Sequence, residues 1–254
     1  MTPILARHRK PHPARKRRTF KEKFWRAIAG LLLFILVSSC LSVILLRWIP
    51  PLTSTFMLYR HYQDYQANRP YTPIDQSWVS FGEISPSMAK AVIAAEDQHF
   101  LEHQGFDFDA LLTAVDDYFE QGRLRGASTI TQQVAKNLFL IPAKSFLRKF
   151  VEAWFTVLIE LFWDKRRIIE VYLNIAEFGD HLFGVQQASK RYFGISAKNI
   201  NARQAALLAA TLPNPRKFHT YRPSSYVRKR QGWILKQMQN LPRRYYASLF
   251  AQTR

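Results

Sequence analysis

The chain has 254 residues, 48% of them hydrophobic, a length that suits one domain with a short appendage rather than two large domains. Its formal net charge of +19 is unevenly spread: residues 1–26 hold ten Lys/Arg against the single acid Glu22, leaving 27 basic and 17 acidic groups, or +10, on the other 228 residues. Such a surface suits nucleic acid, anionic lipid or a phosphorylated substrate, among which charge alone does not choose, and the lone cysteine, Cys40, excludes disulfides within the chain.

The basic segment is densest from Arg15 to Arg18 and continues through Lys21, Lys23 and Arg26. Residues 27–46 then run without a charge or a proline, and at about 1.5 Å per residue they reach roughly 30 Å, the thickness of a bilayer's hydrocarbon core. A buried core helix rarely lacks a polar face over five turns, and the apolar region of a cleaved signal peptide is usually only about 7 to 15 residues long. Val37-Ser38-Ser39-Cys40 resembles a lipoprotein processing site, yet the apolar run continues to Leu46 instead of turning polar. We therefore expect one uncleaved transmembrane helix over 27–48. The basic run stands directly before the span, which favours a topological role over nucleic-acid binding. Under the positive-inside rule residues 1–26 form a cytoplasmic tail and the chain beyond residue 50 lies outside.

Arg47-Trp48 reads as an interfacial anchor and Pro50-Pro51 as a helix break, so 49–70 is a connecting segment and 71–254 the globular domain. Ser85-Pro86 predicts a capped helix through Asp97, and Asp107 caps another to about Gln121. Ser128 is expected to cap a helix through Asn137. Further helices are expected over 144–162, 165–175, 185–192, 202–212 and 224–241. No run alternates with period two, so the expected fold class is all-α. Gly122-Arg123-Leu124-Arg125-Gly126 fits no phosphate-cradling pattern and reads as a mobile basic loop.

Three segments carry chemistry. The first, from Glu96-Asp97-Gln98-His99-Phe100 to Glu102-His103-Gln104-Gly105, sets carboxylates and imidazoles at the end of an apolar helix, where desolvation raises a Glu pKa toward a useful general base. The bland alternative is a solvated helix end. A metal site is the sharper rival, because Glu96, His99 and His103 at i, i+3 and i+7 would share a helical face. The second segment, from Gly126-Ala127-Ser128-Thr129 to Lys136-Asn137, is a helix start rich in hydrogen-bonding side chains; such a terminus attracts anions, and Lys136 adds charge. The third, Arg148-Lys149-Phe150-Val151-Glu152, reads in isolation as an i, i+4 ion pair.

Taken in order, these segments resemble the family 51 glycosyltransferases: ExxxFxxHxG at Glu96 to Gly105, GxSTxTQQxxKN at Gly126 to Asn137, and RKxxE at Arg148 to Glu152. Ile169-Glu170-Val171-Tyr172-Leu173-Asn174 through Gly179, and Arg203-Gln204-Ala205-Ala206 leading to Leu212-Pro213-Asn214-Pro215, match two further motifs, so the resemblance covers about residues 75–222. Arg167 departs from it by standing where an acid is common. Ala176-Glu177-Phe178 replaces a more usual Ile-Tyr-Phe and resembles the monofunctional Gram-negative branch, which carries one membrane helix and no transpeptidase domain. Ser87-Met88-Ala89-Lys90 matches the SxxK of penicillin-binding transpeptidases, but no KTG follows and we read it as chance.

The resemblance implies a lysozyme-like helical domain behind the single N-terminal span, with a smaller lobe that touches the membrane. It implies as substrate lipid II, an undecaprenyl-pyrophosphate-linked disaccharide pentapeptide, joined with inversion into β-1,4-linked glycan. It assigns Glu96 as general base and Glu152 as the assisting carboxylate. Asp97, Phe100, His103, Ser128, Gln132, Gln133, Lys136, Asn137, Arg148 and Lys149 are the expected substrate-binding residues. No cofactor is required, with a divalent cation, magnesium or manganese, as an optional assistant. The implied partners are lipid II, the growing strand, membrane lipid and proteins of cell-wall synthesis or division, with no nucleic acid. The implied location is the bacterial inner membrane, catalytic domain periplasmic. A lysozyme-like hydrolase and a catalytically silent membrane scaffold are the rival classes.

Overall fold

The computed structural model describes residues 19–122, 126, 128–143 and 145–250, so most of the basic tail and the centre of the 122–126 loop lie outside the described residues. Two compact units divide at residue 41: Met1–Leu41 and Ser42–Arg254.

Helix α1 (Phe20–Leu46) begins with a reciprocal cap, in which Thr19 N donates to Glu22 Oε2 at 3.1 Å and Glu22 N to Thr19 Oγ1 at 3.4 Å. It is the one helix among the described residues that is long and apolar enough to cross a membrane. Within the second unit the last turn is fastened from outside. Trp163 Nε1 donates to Val43 O (2.8 Å), and Arg167 donates from Nη2 to Leu46 O (2.8 Å) and Ile49 O (3.0 Å). These donors satisfy carbonyls that a helix end leaves unpaired. Arg167, the departure from the family pattern, thus acts as a helix C-cap supplied by another segment.

The segment expected only as a connection is helical over α2 (Thr55–Gln66), capped by Ser54 and joined to the rest of its unit by Thr55 Oγ1 donating to Leu138 O at 2.9 Å. The apolar helix α3 (Pro86–Glu96) is the centre of the fold. Met88, Ala89, Ala91, Val92, Ile93 and Ala94 are all buried, and small side chains allow α9 (Ala202–Thr211) and α10 (Ser225–Asn240) to pack closely on it. A second layer joins α5 (Ile130–Phe139) to α6 (Phe146–Phe162) and α7 (Lys165–Ile175), with Phe139 stacked on Phe155 at 4.1 Å. Glu170 and Asn174 of the fourth motif are fasteners: Glu170 Oε2 accepts from Phe81 N, and Asn174 exchanges hydrogen bonds with both backbone groups of Val79.

Helices α4 (Phe108–Gln121), α8 (Val185–Phe193) and α11 (Arg243–Phe250) complete the helical set among the described residues. The fold is all-α as expected, and the described residues add one short antiparallel pair, β1 (Glu177–Gly179) and β2 (Leu182–Phe183). With five residues in all and every one buried, they leave no polar alternation to read. Helix α4 and the first turns of α6 leave large apolar side chains in solvent, among them Phe119 at 80% and Phe146 at 98% exposed.

Candidate active site

Helix α3 ends at Glu96 because Asp97 leaves helical geometry (φ −161°). That break turns the Glu96 side chain into a cleft of about 680 Å³ lined also by Ser128, Gln133, Lys136, Arg230 and Trp233. Glu96 Oε2 accepts from Gln133 Nε2 at 3.1 Å, and Oε1 lies 3.3 Å from Arg230 Nη2. Burial holds the Glu96 carboxyl above its ordinary pKa, opposed by the Gln133 hydrogen bond and the positive charges of Arg230 and Lys136. Gln133 is itself oriented from below, its Oε1 accepting from the buried Tyr172 hydroxyl at 3.4 Å.

The break at Asp97 also disposes of the helical metal trio: Glu96, His99 and His103 do not share one helix. His99 pairs with Asp107 (3.0 Å) and His103 with Asp97 (2.8 Å). Asp97, His103 and Asp107 do each bring one donor atom within 4.8 Å of the others, but Asp97 is consumed by His103 and by the backbone N–H of Ile130. Asp97 therefore lies at the cleft wall as the acceptor that meets the N-terminus of α5. Phe100 is fully buried beneath Lys165 Nζ, 4.6 Å from its ring centre, and does not line the cleft. Gly105 closes the first motif where φ is +87°, and an added Cβ would stand 2.7 Å from Thr156 Cγ2 of α6. Only glycine permits both.

The cap of α5 is Thr129, not Ser128. Thr129 Oγ1 accepts from Gln132 N, and Gln132 Oε1 accepts from Thr129 N, a reciprocal box that Ser128 cannot make because Thr131 lies three residues beyond it. Gln132 is thus spent on the cap, while Ser128 is left exposed at the cleft. Thr129 Oγ1 donates to Gly105 O at 2.7 Å and so ties the second motif to the first. Asn137 is half-buried at the C-terminal end of α5.

Glu152 is buried and accepts from Arg148 Nη1 at 2.7 Å and Lys149 Nζ at 2.5 Å, so the third motif is a closed ionic cluster on α6. Lys136 lies within electrostatic reach of both carboxylates. Burial lowers its pKa, and Glu152, Arg148, Lys149 and Glu96 all act on it electrostatically. Arg148, Lys149 and Glu152 do not line the wall around Glu96. Two residues escaped the sequence reading, Arg230 and Trp233 of α10. The signal was present: Val227, Arg230, Ile234 and Met238 lie at i, i+3, i+7 and i+11, which puts a guanidinium in the buried apolar stripe of an amphipathic helix.

A helical domain that sets a half-buried carboxylate of raised pKa beside a group of cations has groups suited to glycosyl transfer. Residues 65–239 match the sequence model of the family described as Transglycosylase. Among similar proteins, the biosynthetic peptidoglycan transglycosylase of Shewanella oneidensis is 50% identical over 216 residues, covering 84% of this chain and 91% of its own. That of Pseudomonas fluorescens is 47% identical over 217 residues (85% and 90%), and that of Ectopseudomonas mendocina 46% over 221 (87% and 91%). The chain belongs to the transglycosylase family, and it is an enzyme with that family's lysozyme-like helical fold.

Proposed function

We propose that this enzyme polymerises peptidoglycan glycan strands, transferring the growing lipid-linked chain onto lipid II with inversion and releasing undecaprenyl pyrophosphate. The observation that supports this reading is that Lys136, which lines the Glu96 cleft, lies within electrostatic reach of both Glu96 and the Arg148–Lys149–Glu152 cluster, a carboxylate and a cationic group suited to a pyrophosphate. Glu96 takes the proton from the 4-hydroxyl of the acceptor GlcNAc. That oxygen attacks C1 of the terminal MurNAc of the growing chain and the bond from C1 to the pyrophosphate oxygen breaks. Inversion at C1 gives the β-1,4 linkage. Charge grows on the pyrophosphate as it leaves, so Lys136, Arg148 and Lys149 act most strongly in the transition state. Glu152 holds the two α6 cations in place.

The reaction as proposed runs without a resident cofactor. Magnesium or manganese assistance, the alternative, would act through the pyrophosphate oxygens, because Glu96 and Glu152 are already matched by amide, guanidinium and ammonium donors. In this proposal α1 anchors the enzyme in the inner membrane with the basic tail cytoplasmic and the chain beyond residue 50 periplasmic, alongside proteins of wall synthesis or division. A hydrolase on the same scaffold would have no use for the cationic cluster. Incubating the purified protein with lipid II and resolving products by size tests the proposal: a ladder of longer glycans supports it, while shortening of finished glycan with no growth from lipid II overturns it.

A further inference from the structure

Away from the cleft, α2 and the β1–β2 turn bring two histidines and an aspartate together. His61 and Asp64 lie at i and i+3 on one face of α2. His181 sits in the turn at φ +57°, its backbone pinned by Asp75 N donating to His181 O at 2.8 Å. Asp64 and His181 are 5% and 4% exposed, and His181 Nε2 is 2.6 Å from Asp64 Oδ2. The His61 ring stacks on Tyr71 and stands 6.1 Å from the His181 ring, centre to centre. One donor atom from each of the three lies within 4.8 Å of the others.

The hydrogen-bond tally here is incomplete. His61 Nδ1 and His181 Nδ1 are both buried and make no hydrogen bond; Asp180 Oδ2 approaches the latter only to 3.4 Å. Buried polar atoms are normally satisfied, and an orphaned His61 nitrogen beside a carboxylate and a second imidazole is the pattern of a ligand set without its ion. The neighbouring charges do not explain it, because Arg60 is spent on Glu177, Arg216 pairs with Asp180, and Arg69 reaches Asp64 Oδ1 only at 3.4 Å.

We propose that His61, Asp64 and His181 form a binding site for a divalent transition-metal ion of the zinc class, which clips α2 to the β1–β2 turn. Two imidazoles and a carboxylate are the donor set such ions prefer, and three protein ligands leave a fourth position for water. Asp180, beside Nδ1 of His181, is placed to fix that ring while Nε2 faces the ion. Ligands of one tetrahedral ion at about 2.0–2.1 Å lie roughly 3.3 Å apart, so Asp64 and His181 separate by about 0.7 Å on binding. The metal-free alternative is a plain Asp64–His181 hydrogen bond with His61 as a bystander. The site shares no residue with the catalytic cleft, and the inference does not rest on the proposed reaction.

The test uses the full, tag-free chain in detergent, stripped by chelator and titrated with zinc by calorimetry, together with His61→Ala, Asp64→Asn and His181→Ala. Wild type should bind one zinc per chain and unfold at higher temperature with it, since a ligand that binds only the folded state stabilises it. Each variant should bind at least about tenfold more weakly. No saturable binding by wild type at about 100 μM zinc overturns the proposal, as does equal binding by the variants, which would put the ion elsewhere, for example at Asp97, His103 and Asp107. If a variant fails to fold, cobalt substitution of wild type decides alone: visible bands of nitrogen-ligated cobalt are expected, and the spectrum of aqueous cobalt refutes the site.

Discussion

Arg230 Nη2 lies 3.3 Å from Glu96 Oε1, across 134 residues of sequence, and extends to Ala95 O at 3.5 Å. The guanidinium therefore meets the base at the end of α3 and offsets part of the burial that drives its pKa upward. Removing it leaves the desolvation and deletes two opposing influences.

The first prediction concerns the acid limb of the pH–rate profile. Glu96 works as a base only when ionised, so with a pKa raised above 4.5 its activity is lost as pH falls through that raised value. Arg230→Ala should move the limb to higher pH and lower turnover on its acid side, where the ionised fraction limits the rate. Arg230→Lys should recover part of the shift. A limb that does not move would mean that Arg230 only shapes the wall of the cleft.

Glu96→Gln should abolish glycan growth, with a rate loss of about 10² to 10⁴, because the amide keeps the shape and cannot take a proton. It should also stabilise the fold. A carboxyl whose pKa is raised by folding opposes folding when ionised; the cost is complete above the folded pKa and vanishes below the unfolded value. Thermal midpoints of Glu96→Gln should therefore exceed wild type at pH 8, and the gap should close as pH falls to about 4.

Lys136→Ala and Arg148→Ala should each slow transfer from the pyrophosphate-linked donor by about 10² or more, the scale seen when a preorganised charge stabiliser is removed. Arg148→Lys should not fully restore the rate, since an ammonium lacks the planar fork that reaches two oxygens at once. Full activity of Arg148→Lys in single-turnover assays would argue against a bidentate role.

Arg167→Ala should lower stability by about 1 kcal/mol, because it strips donors from the half-buried Leu46 O and the exposed Ile49 O, which water then hydrates. Denaturation followed by tryptophan fluorescence checks this, and per-molecule turnover of the folded fraction should stay near wild type.

Labelled penicillin should leave the chain unmarked. Ser87 of the SxxK match lies nine residues before Glu96 on the same helix, at the end of α3 remote from the cleft. Moenomycin, a phosphoglycolipid resembling the growing chain of this family, should instead stop glycan growth by occupying the site of Glu96, Lys136 and Arg148. Gel fluorography of penicillin-treated membranes and lipid II assays in moenomycin give the two readouts.

How much of this was legible in the chain depended on range. Helices α3, α7 and α10 could be read because proline, serine and apolar spacing act within a few residues. The Glu96 and Glu152 clusters carried their own chemistry in adjacent residues. Ser128 was mistaken for the cap because the choice between it and Thr129 turns on which position Gln132 can answer. Helix α2 was missed because Arg60 and Asp64 are buried, which breaks the apolar stripe that amphipathicity relies on, and their partners Glu177 and His181 come more than a hundred residues later. Arg167 read as an oddity until the carbonyls of Leu46 and Ile49 supplied its reason.

The apolar side chains that α4 and α6 leave in solvent bear on how the protein can be handled. Cutting the chain after Leu41 would remove most of the hydrophobic α1 and still leave Phe108, Leu112, Phe119, Phe146, Leu147 and Phe150 uncovered. A patch of this kind is an association surface in plain buffer. The truncated enzyme should therefore sediment with liposomes and self-associate once micelles are withdrawn, so that an amphiphile belongs in its crystallisation drops and assays even when no membrane helix is present.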